Sequence, residues 1–185
     1  GLGPSVSIGT ASDRYAGWIG QIYSPGRYET RITSRKHAVG GKSFTEKVLP
    51  VESVTEYFEH FRVLEIDLTF YNTLLGADGS PTRTHRALEA YARHMPEDGR
   101  LLLKVPQAVF AQTLRRKDRH EENESYLNPE LFTERFYEPA VKLISPWLSG
   151  FVFEQEYQRS AGRADPYDFA ADLDGFFSSI PADDR

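Results

Sequence analysis

The order of predicted elements is the feature that most restricts the fold of this chain, because a strand-like segment is followed by a helical segment four times. The predicted strands cover residues 5–9, 62–67, 100–105 and 150–155. The predicted helices cover residues 50–61, 82–95, 128–147 and 165–180. Pro139 is expected to kink or split the third of these helices. Strands that alternate with helices in this way predict a parallel sheet in an α/β fold.

The alternation of residue types within the strands indicates which kind of parallel sheet this is. Leu64, Ile66, Leu101 and Leu103 give one face an aliphatic character, whereas the other face is mixed. Strands of a doubly wound sheet are usually apolar on both faces, so the mixed face favours a TIM-type barrel. The 185 residues contain only four βα units, short of the eight units and roughly 250 residues of a typical closed barrel. We therefore expect residues 1–185 to form a single βα-repeat domain, the N-terminal part of a larger barrel.

Composition excludes several classes of protein. The chain has no cysteine, which rules out disulfides and thiolate metal sites. It has no apolar run of membrane-spanning length and no signal-peptide pattern, so we expect a cytoplasmic protein without a membrane partner. The net charge of −5 disfavours general binding to nucleic acid but leaves a local basic patch open.

Four ionisable residues fall at or near the carboxyl ends of the predicted strands, where barrels gather their chemistry. These candidate catalytic residues are Glu65, Asp67, Lys104 and Glu154. Asp67 and Glu154 are also candidate ligands for Mg²⁺ or Mn²⁺, since these cations prefer carboxylate oxygens. The same group suits acid–base chemistry, and Lys104 is a candidate Schiff-base nucleophile. The structural alternative is a buried ion pair between Lys104 and Glu65 that ties two strands together.

The segment after the first strand is basic, in contrast to the whole chain. Residues 10–49 contain seven basic and three acidic residues, and the run "SRKHAVGGKS" (34–43) combines glycines with hydrogen-bond donors. We interpret this segment as a flexible loop that holds an anion, with Arg35 and Lys36 as binding residues and Arg159 as a further basic residue at the rim. The later charged run at residues 115–124 is interpreted as a solvated loop, because its acidic and basic residues cancel.

Aromatic residues follow the first two predicted strands. Tyr15, Trp18 and Tyr71 are candidates for stacking on a sugar or a base. The alternative is that these rings pack against the long loop and hold it in place. The sequence leaves both interpretations open.

Several short motifs, in order and spread over about 150 residues, resemble the YecE-like family, also called domain of unknown function 72. They are "IGT" (8–10), "YAGW" (15–18), "YSP" (23–25), "FRVLEIDLTFY" (61–71), "KVP" (104–106) and "FVFEQ" (151–155). The resemblance implies a TIM-barrel-like fold without an agreed biochemical activity, and Thr10 of the first motif joins the ligand-binding candidates.

The chain also departs from the pattern of that family. Ser12 and Asp13 stand where the family usually has a glycine and a tryptophan, and Asp67 stands where it has an asparagine. Ala111 replaces a histidine, and Glu154 replaces a glutamine. These differences imply a subgroup with a more acidic pocket.

Two functional classes follow from these residues. The first is an enzyme that acts on a small anionic substrate, such as a phosphorylated one, by metal or acid–base chemistry at the mouth of a barrel. The second is a binding module for nucleic-acid backbone or a sugar phosphate, without turnover. The carboxylates favour the enzyme, because they do not help to bind an anion. A third possibility is that this half of a barrel does not fold alone.

Overall fold

A computed structural model describes residues 6–39, 42–116, 119–155 and 164–184. The strands are β1 (Gly9–Ala11), β2 (Thr33–Val39), β3 (Lys42–Val48), β4 (Val63–Ile66), β5 (Arg100–Lys104), β6 (Thr113–Arg116), β7 (Arg119–Glu122) and β8 (Leu148–Val152). The α-helices are α1 (Val54–His60), α2 (Arg83–Ala92), α3 (Gln107–Phe110), α4 (Pro129–Phe132), α5 (Glu138–Ile144) and α6 (Pro166–Ser179). Short 3₁₀ turns occupy Ala16–Trp18, Glu29–Arg31, Val51–Ser53 and Asp67–Tyr71.

The main sheet has four strands in the order β1-β4-β5-β8, and all neighbours are parallel. The register pairs Ala11 with Glu65 and Ile66 with Leu103. Each later strand of the sheet lies beside the sheet strand that precedes it in the chain. The predicted α/β class with a parallel sheet is confirmed, and within the described residues this sheet is open, with β1 and β8 at its edges.

The aliphatic face of the sheet forms the centre of the hydrophobic core. Leu64, Ile66, Leu101 and Leu103 are buried, as the alternation predicts. Burying one such side chain contributes about 1.5–3 kcal/mol relative to leaving it exposed. The helices supply the other half of this core through Val54 of α1, Leu88 and Tyr91 of α2, and Ala140 and Ile144 of α5.

The first strand differs from its prediction, since residues 6–8 lie outside any strand and β1 begins at Gly9. Val6 and Ile8, the two apolar residues of the predicted strand, are 52% and 56% exposed. Gly9 lies so close to β4 that a Cβ on it would fall 1.8 Å from the Val63 carbonyl oxygen. The short strand therefore depends on a glycine at the point of closest approach.

The basic segment after β1 contains a β-hairpin, so the prediction that the whole segment is a loop is wrong. Strands β2 and β3 are antiparallel, and Arg35 lies opposite Glu46. The sequence shows Gly40–Gly41 between two alternating runs, which is a typical signal for a hairpin. The alternation was hard to recognise because both runs are rich in Arg, Lys, Ser and Thr.

The second charged run also forms a hairpin and is not a loop. Strands β6 and β7 are antiparallel, with Leu114 opposite Glu121. Asn123 ends this hairpin and donates hydrogen bonds to the Ala111 and Ala108 carbonyl oxygens at 2.7 and 3.0 Å. The base of the hairpin is thereby fixed to the end of α3.

The third long helix is irregular just before Pro139, where a kink or a split was predicted. Asn128 caps α4, and its Oδ1 accepts a hydrogen bond from the Leu131 amide at 2.7 Å. A π-helical segment, Thr133–Tyr137, then joins α4 to α5, and Pro139 lies in the first turn of α5. A proline lacks the amide hydrogen that a regular α-helix requires, which accounts for the change of helix type before it.

Helix α6 packs Phe176 against the end of the sheet, while its Tyr167 and Phe177 are exposed. Asp165 caps this helix by accepting a hydrogen bond from the Tyr167 amide at 2.8 Å. The buried Phe176 ring lies 5.9 Å from the Phe132 ring and 6.0 Å from the Phe153 ring, measured between centroids. None of the helices in the described ranges has the length and apolar content required to span a membrane.

Candidate functional site

The carboxyl ends of the four parallel strands bring the predicted catalytic residues to one edge of the sheet. Asp67 follows β4 directly, Lys104 ends β5, and Glu154 follows β8 by two residues. The parallel register aligns these strand ends, as the sequence predicted. Glu65 lies inside β4 on the same face as Lys104.

Lys104 lies at the centre of this group. Its Nζ is 2.7 Å from Asp67 Oδ1, 2.6 Å from Glu154 Oε2 and 3.4 Å from Glu65 Oε1. The side chain of Lys104 is 15% exposed, whereas Asp67 and Glu154 are partly open to solvent. The ion pair between Lys104 and Glu65 that the sequence suggested is therefore present, as part of a larger cluster of one ammonium and three carboxylates.

The carboxylates determine the charge state of Lys104. Burial alone would lower the pKa of its ammonium, but the hydrogen bonds to Asp67 and Glu154 outweigh burial and raise this pKa above its ordinary value. The amine is thus held in its charged form. A Schiff base requires a neutral amine, so the arrangement opposes that role for Lys104 and favours a role as a fixed positive charge.

Thr69 and Phe70 support the cluster from the turn that follows β4. The Thr69 hydroxyl lies 2.6 Å from the Lys104 carbonyl oxygen and 2.8 Å from the Ile66 carbonyl oxygen, and its single hydrogen can be donated to either. Lys104 Nζ lies 5.6 Å from the centroid of the Phe70 ring, within the range of a cation–π contact. The 3₁₀ turn Asp67–Tyr71 is consequently anchored to the end of β5, which fixes the position of Asp67.

A cavity of about 240 Å³ lies next to this cluster, between the end of β4, the loop after β1 and the β2–β3 hairpin. Its charged lining residues are Asp13, Arg14, Arg35, Glu46, Glu65 and Asp67. Three tyrosines, Tyr15, Tyr71 and Tyr91, also line it. The cavity therefore combines two guanidinium groups with four carboxylates.

Asp13 is a residue of this cavity that the sequence analysis did not select. It is 2% exposed, and its Oδ1 accepts a hydrogen bond from the Tyr91 hydroxyl at 2.6 Å. Its Oδ2 is also buried and has no hydrogen-bond partner among the described residues. Burial raises the pKa of Asp13 from 3.8 to about 6, against the lowering effects of the Tyr91 hydrogen bond and the Arg14 charge.

The backbone at Ser12 directs Asp13 into this position. Ser12 has a φ of 67°, in the left-handed region that residues other than glycine rarely occupy. Its amide donates a hydrogen bond to the Glu65 carbonyl oxygen at 3.0 Å, which extends the pairing with β4 beyond β1. An acidic residue two positions after the first strand was the signal for Asp13, but the predicted strand ended at Gly9, which placed Asp13 further into the loop.

Only some of the other predicted ligand-binding residues line the cavity. Tyr15, Arg35 and Tyr71 line the cavity, and Tyr71 is 63% exposed. Lys36 is exposed on β2 and is not among the lining residues. Arg159 lies outside the described residues.

Thr10 and Trp18 have packing and hydrogen-bonding contacts of their own. The Thr10 amide donates to the Tyr57 hydroxyl at 2.8 Å, and its hydroxyl donates to the Ser12 carbonyl oxygen at 2.6 Å. The Trp18 ring contacts the Tyr15 ring edge-on, with centroids 4.9 Å apart. These contacts agree with the packing interpretation of the aromatic residues, while Tyr15 also lines the cavity.

Two of the basic residues of segment 10–49 form ion pairs with the region of α1. Arg27 pairs with the buried Glu56, and Arg31 pairs with Glu52. The Arg14 guanidinium lies 5.7 Å from the Tyr91 ring centroid. The positive charge available to a ligand in the cavity is therefore concentrated on Arg14 and Arg35.

The two predicted metal ligands, Asp67 and Glu154, share the ammonium of Lys104 as their cation. Among the residues that the structure describes, no group of three or more His, Asp or Glu side chains is arranged to hold a metal ion. A divalent cation at Asp67 and Glu154 would have to displace Lys104 Nζ. The metal site remains a prediction.

Comparison of the chain with protein-family models, with curated proteins and with solved structures gave no match. The proposed function therefore rests on the geometry of the site.

Proposed function

We propose that this chain carries the active site of an enzyme that acts on a small anionic molecule. The observation that supports the proposal is the cavity at the carboxyl edge of the sheet, where Arg14 and Arg35 lie in the same lining as Glu65 and Asp67. Its volume of about 240 Å³ suits a ligand smaller than a typical drug molecule.

The anionic group of the substrate would bind to the guanidinium side. An arginine presents several donors in a planar fork that matches carboxylate and phosphate oxygens. Arg35 extends from β2 of the hairpin, and Arg14 from the loop after β1, so two separate elements contribute to this side.

The chemical step would use the carboxylate side. Asp67 and Glu65 line the cavity and lie beside Lys104, whose fixed charge stabilises negative charge that develops nearby. Acid–base catalysis needs no further group. Catalysis with Mg²⁺ or Mn²⁺ at Asp67 and Glu154 would require Lys104 to move aside.

We also propose that the sheet belongs to a TIM-type barrel of the YecE-like kind. The support is the strand order, because each successive βα unit adds its strand on the same side of the sheet. In a doubly wound sheet the order reverses at a switch point, whereas in a barrel it does not.

Binding of inorganic phosphate tests the anion site. We expect Arg35→Gln to weaken phosphate binding about tenfold, the equivalent of about 1.4 kcal/mol. Lys36→Gln is the matched control, since Lys36 is the next residue on β2 and lies outside the cavity lining. An equal loss in both variants would indicate general attraction to a basic hairpin, and the cavity would then not be the anion site.

An assay of substrate consumption distinguishes an enzyme from a binding module. A panel of small phosphate esters and carboxylates, with and without Mg²⁺ or Mn²⁺, is incubated with the protein and analysed by NMR for consumption. Asp67→Asn should abolish consumption, while Asp98→Asn, an exposed acid paired with Arg62, should retain it. Binding of the same compounds without consumption would favour the alternative, a binding module for a sugar phosphate or nucleic-acid backbone.

A further inference from the structure

Asp13 lines the cavity and carries a buried acceptor without a hydrogen-bond partner among the described residues. Its Oδ1 is held by the Tyr91 hydroxyl, while its Oδ2 is buried and has no partner within the described residues. Burying a charged oxygen without a hydrogen bond is costly. A ligand that donates a hydrogen bond to this oxygen would remove part of that cost.

The charges of the lining indicate which donor is favoured. Four acidic residues and two arginines line the cavity. Even with the ammonium of Lys104, which contacts Glu65 and Asp67, the acidic residues outnumber the basic ones, although one side can bind an anion. The charged and titratable groups around Asp13 are Arg14 beside it, Tyr23, Tyr57 and Tyr91 from the core, and Arg35, Glu46, Glu65 and Asp67 across the cavity. A cationic donor is favoured over a neutral one in such surroundings.

We propose that Asp13 forms a binding subsite for an ammonium group, so that the cavity takes small zwitterions that carry a primary ammonium and an anionic group. The ammonium donates to Asp13 Oδ2, and the anionic group binds to Arg14 and Arg35. This inference rests on the proposed function and adds the class of the substrate to it.

The test compares two probes that differ only in the ammonium group, taurine and ethanesulfonate. Both carry a sulfonate, whose charge does not change between pH 5 and pH 8. NMR titrations at constant ionic strength give the two dissociation constants for the parent protein, for Asp13→Asn and for the control Asp98→Asn. The asparagine side chain of the first variant would retain an oxygen that can accept the Tyr91 hydrogen bond, which limits the disturbance of the fold.

We expect the parent and Asp98→Asn to bind taurine about tenfold more tightly than ethanesulfonate, and Asp13→Asn to bind both probes equally. Equal binding of both probes by the parent would overturn the ammonium subsite and leave the anion site intact. Binding of neither probe would overturn both proposals. A preference for taurine that persists in Asp13→Asn would assign the ammonium to Glu65, Asp67 or Glu46 and overturn the role of Asp13.

A second measurement covers the case in which Asp13→Asn does not fold. Because Asp13 has a pKa of about 6, its charge is present at pH 8 and largely lost at pH 5. The preference of the parent for taurine should therefore decrease as the pH falls through 6. A preference that is constant between pH 8 and pH 5 would contradict the assignment.

Discussion

The Tyr91 hydroxyl donates a 2.6 Å hydrogen bond to Asp13 Oδ1 and thereby joins α2 to the loop that follows β1. Both residues are buried, and both line the cavity at the carboxyl edge of the sheet. One contact thus fixes the wall of the candidate site and ties it to the hydrophobic core.

The buried charge of Asp13 should make stability depend on pH. Its folded-state pKa of about 6 exceeds the ordinary value of 3.8, so the folded protein retains a proton that the unfolded chain has lost. The free energy of unfolding should therefore fall as the pH rises from about 4 to about 6, by about 3 kcal/mol from this group.

Asp13→Asn isolates this contribution. The variant should be more stable than the parent above pH 7 and should lack this part of the pH dependence, as measured by urea unfolding at pH 4.5, 6 and 7.5. Parallel pH profiles of the two proteins would mean that Asp13 is not a buried charge.

Lys104 should contribute to stability because it balances three carboxylates. Lys104→Met leaves Asp67, Glu154 and Glu65 next to one another without the ammonium, and we expect a loss of about 2 kcal/mol in the free energy of unfolding. Lys36→Met, on the exposed face of the hairpin, should change it by less than about 0.5 kcal/mol. Equal effects of the two substitutions would show that water screens the cluster so strongly that it does not contribute to the free energy of unfolding.

The same substitution tests whether Asp67 and Glu154 can hold a metal. Without the ammonium of Lys104, their carboxylates are free to bind Mg²⁺ or Mn²⁺. Either ion should raise the thermal midpoint of Lys104→Met more than that of the parent, and Asp67→Asn in the Lys104→Met background should remove this response. If Lys104→Met does not respond to either ion, the predicted metal site is wrong.

Gly9 should be essential for the pairing of β1 with β4. A Cβ at this position would overlap the Val63 carbonyl oxygen, so Gly9→Ala must displace backbone and should destabilise the protein by about 1–3 kcal/mol or more. Gly17→Ala is the matched control, since a Cβ there has no neighbour within 4 Å. Thermal unfolding of both variants measures the difference, and a Gly9→Ala protein as stable as Gly17→Ala would refute the close approach.

The sequence was sufficient to predict the parallel sheet, because Leu64, Ile66, Leu101 and Leu103 mark one strand face clearly. The same alternation put Glu65 and Lys104 on the opposite face, and parallel strands bring their carboxyl ends together. The clustering of Glu65, Asp67, Lys104 and Glu154 could thus be predicted from strand order alone.

The bounds of strand β1, the two hairpins and the burial of Asp13 were not predicted, because their sequences show only weak local patterns. Strand β1 is three residues long and includes Gly9 and Ala11, so it has no hydrophobic periodicity to mark its bounds. The two hairpins consist mostly of charged and hydroxyl residues and resemble loops. The position of Asp13 shortly after the first strand was a weak signal, because its burial depends on Tyr91, 78 residues further along the chain.

The most direct test of the account is a titration of the ¹⁵N-labelled protein with inorganic phosphate, followed by amide NMR. Binding in the cavity predicts that the largest shifts come from residues 12–15, Arg35 and residues 65–68, with the amides of β6 and β7 unchanged. Shifts confined to the β6–β7 hairpin, or no shifts at all, would contradict the proposal that the cavity binds a small anion.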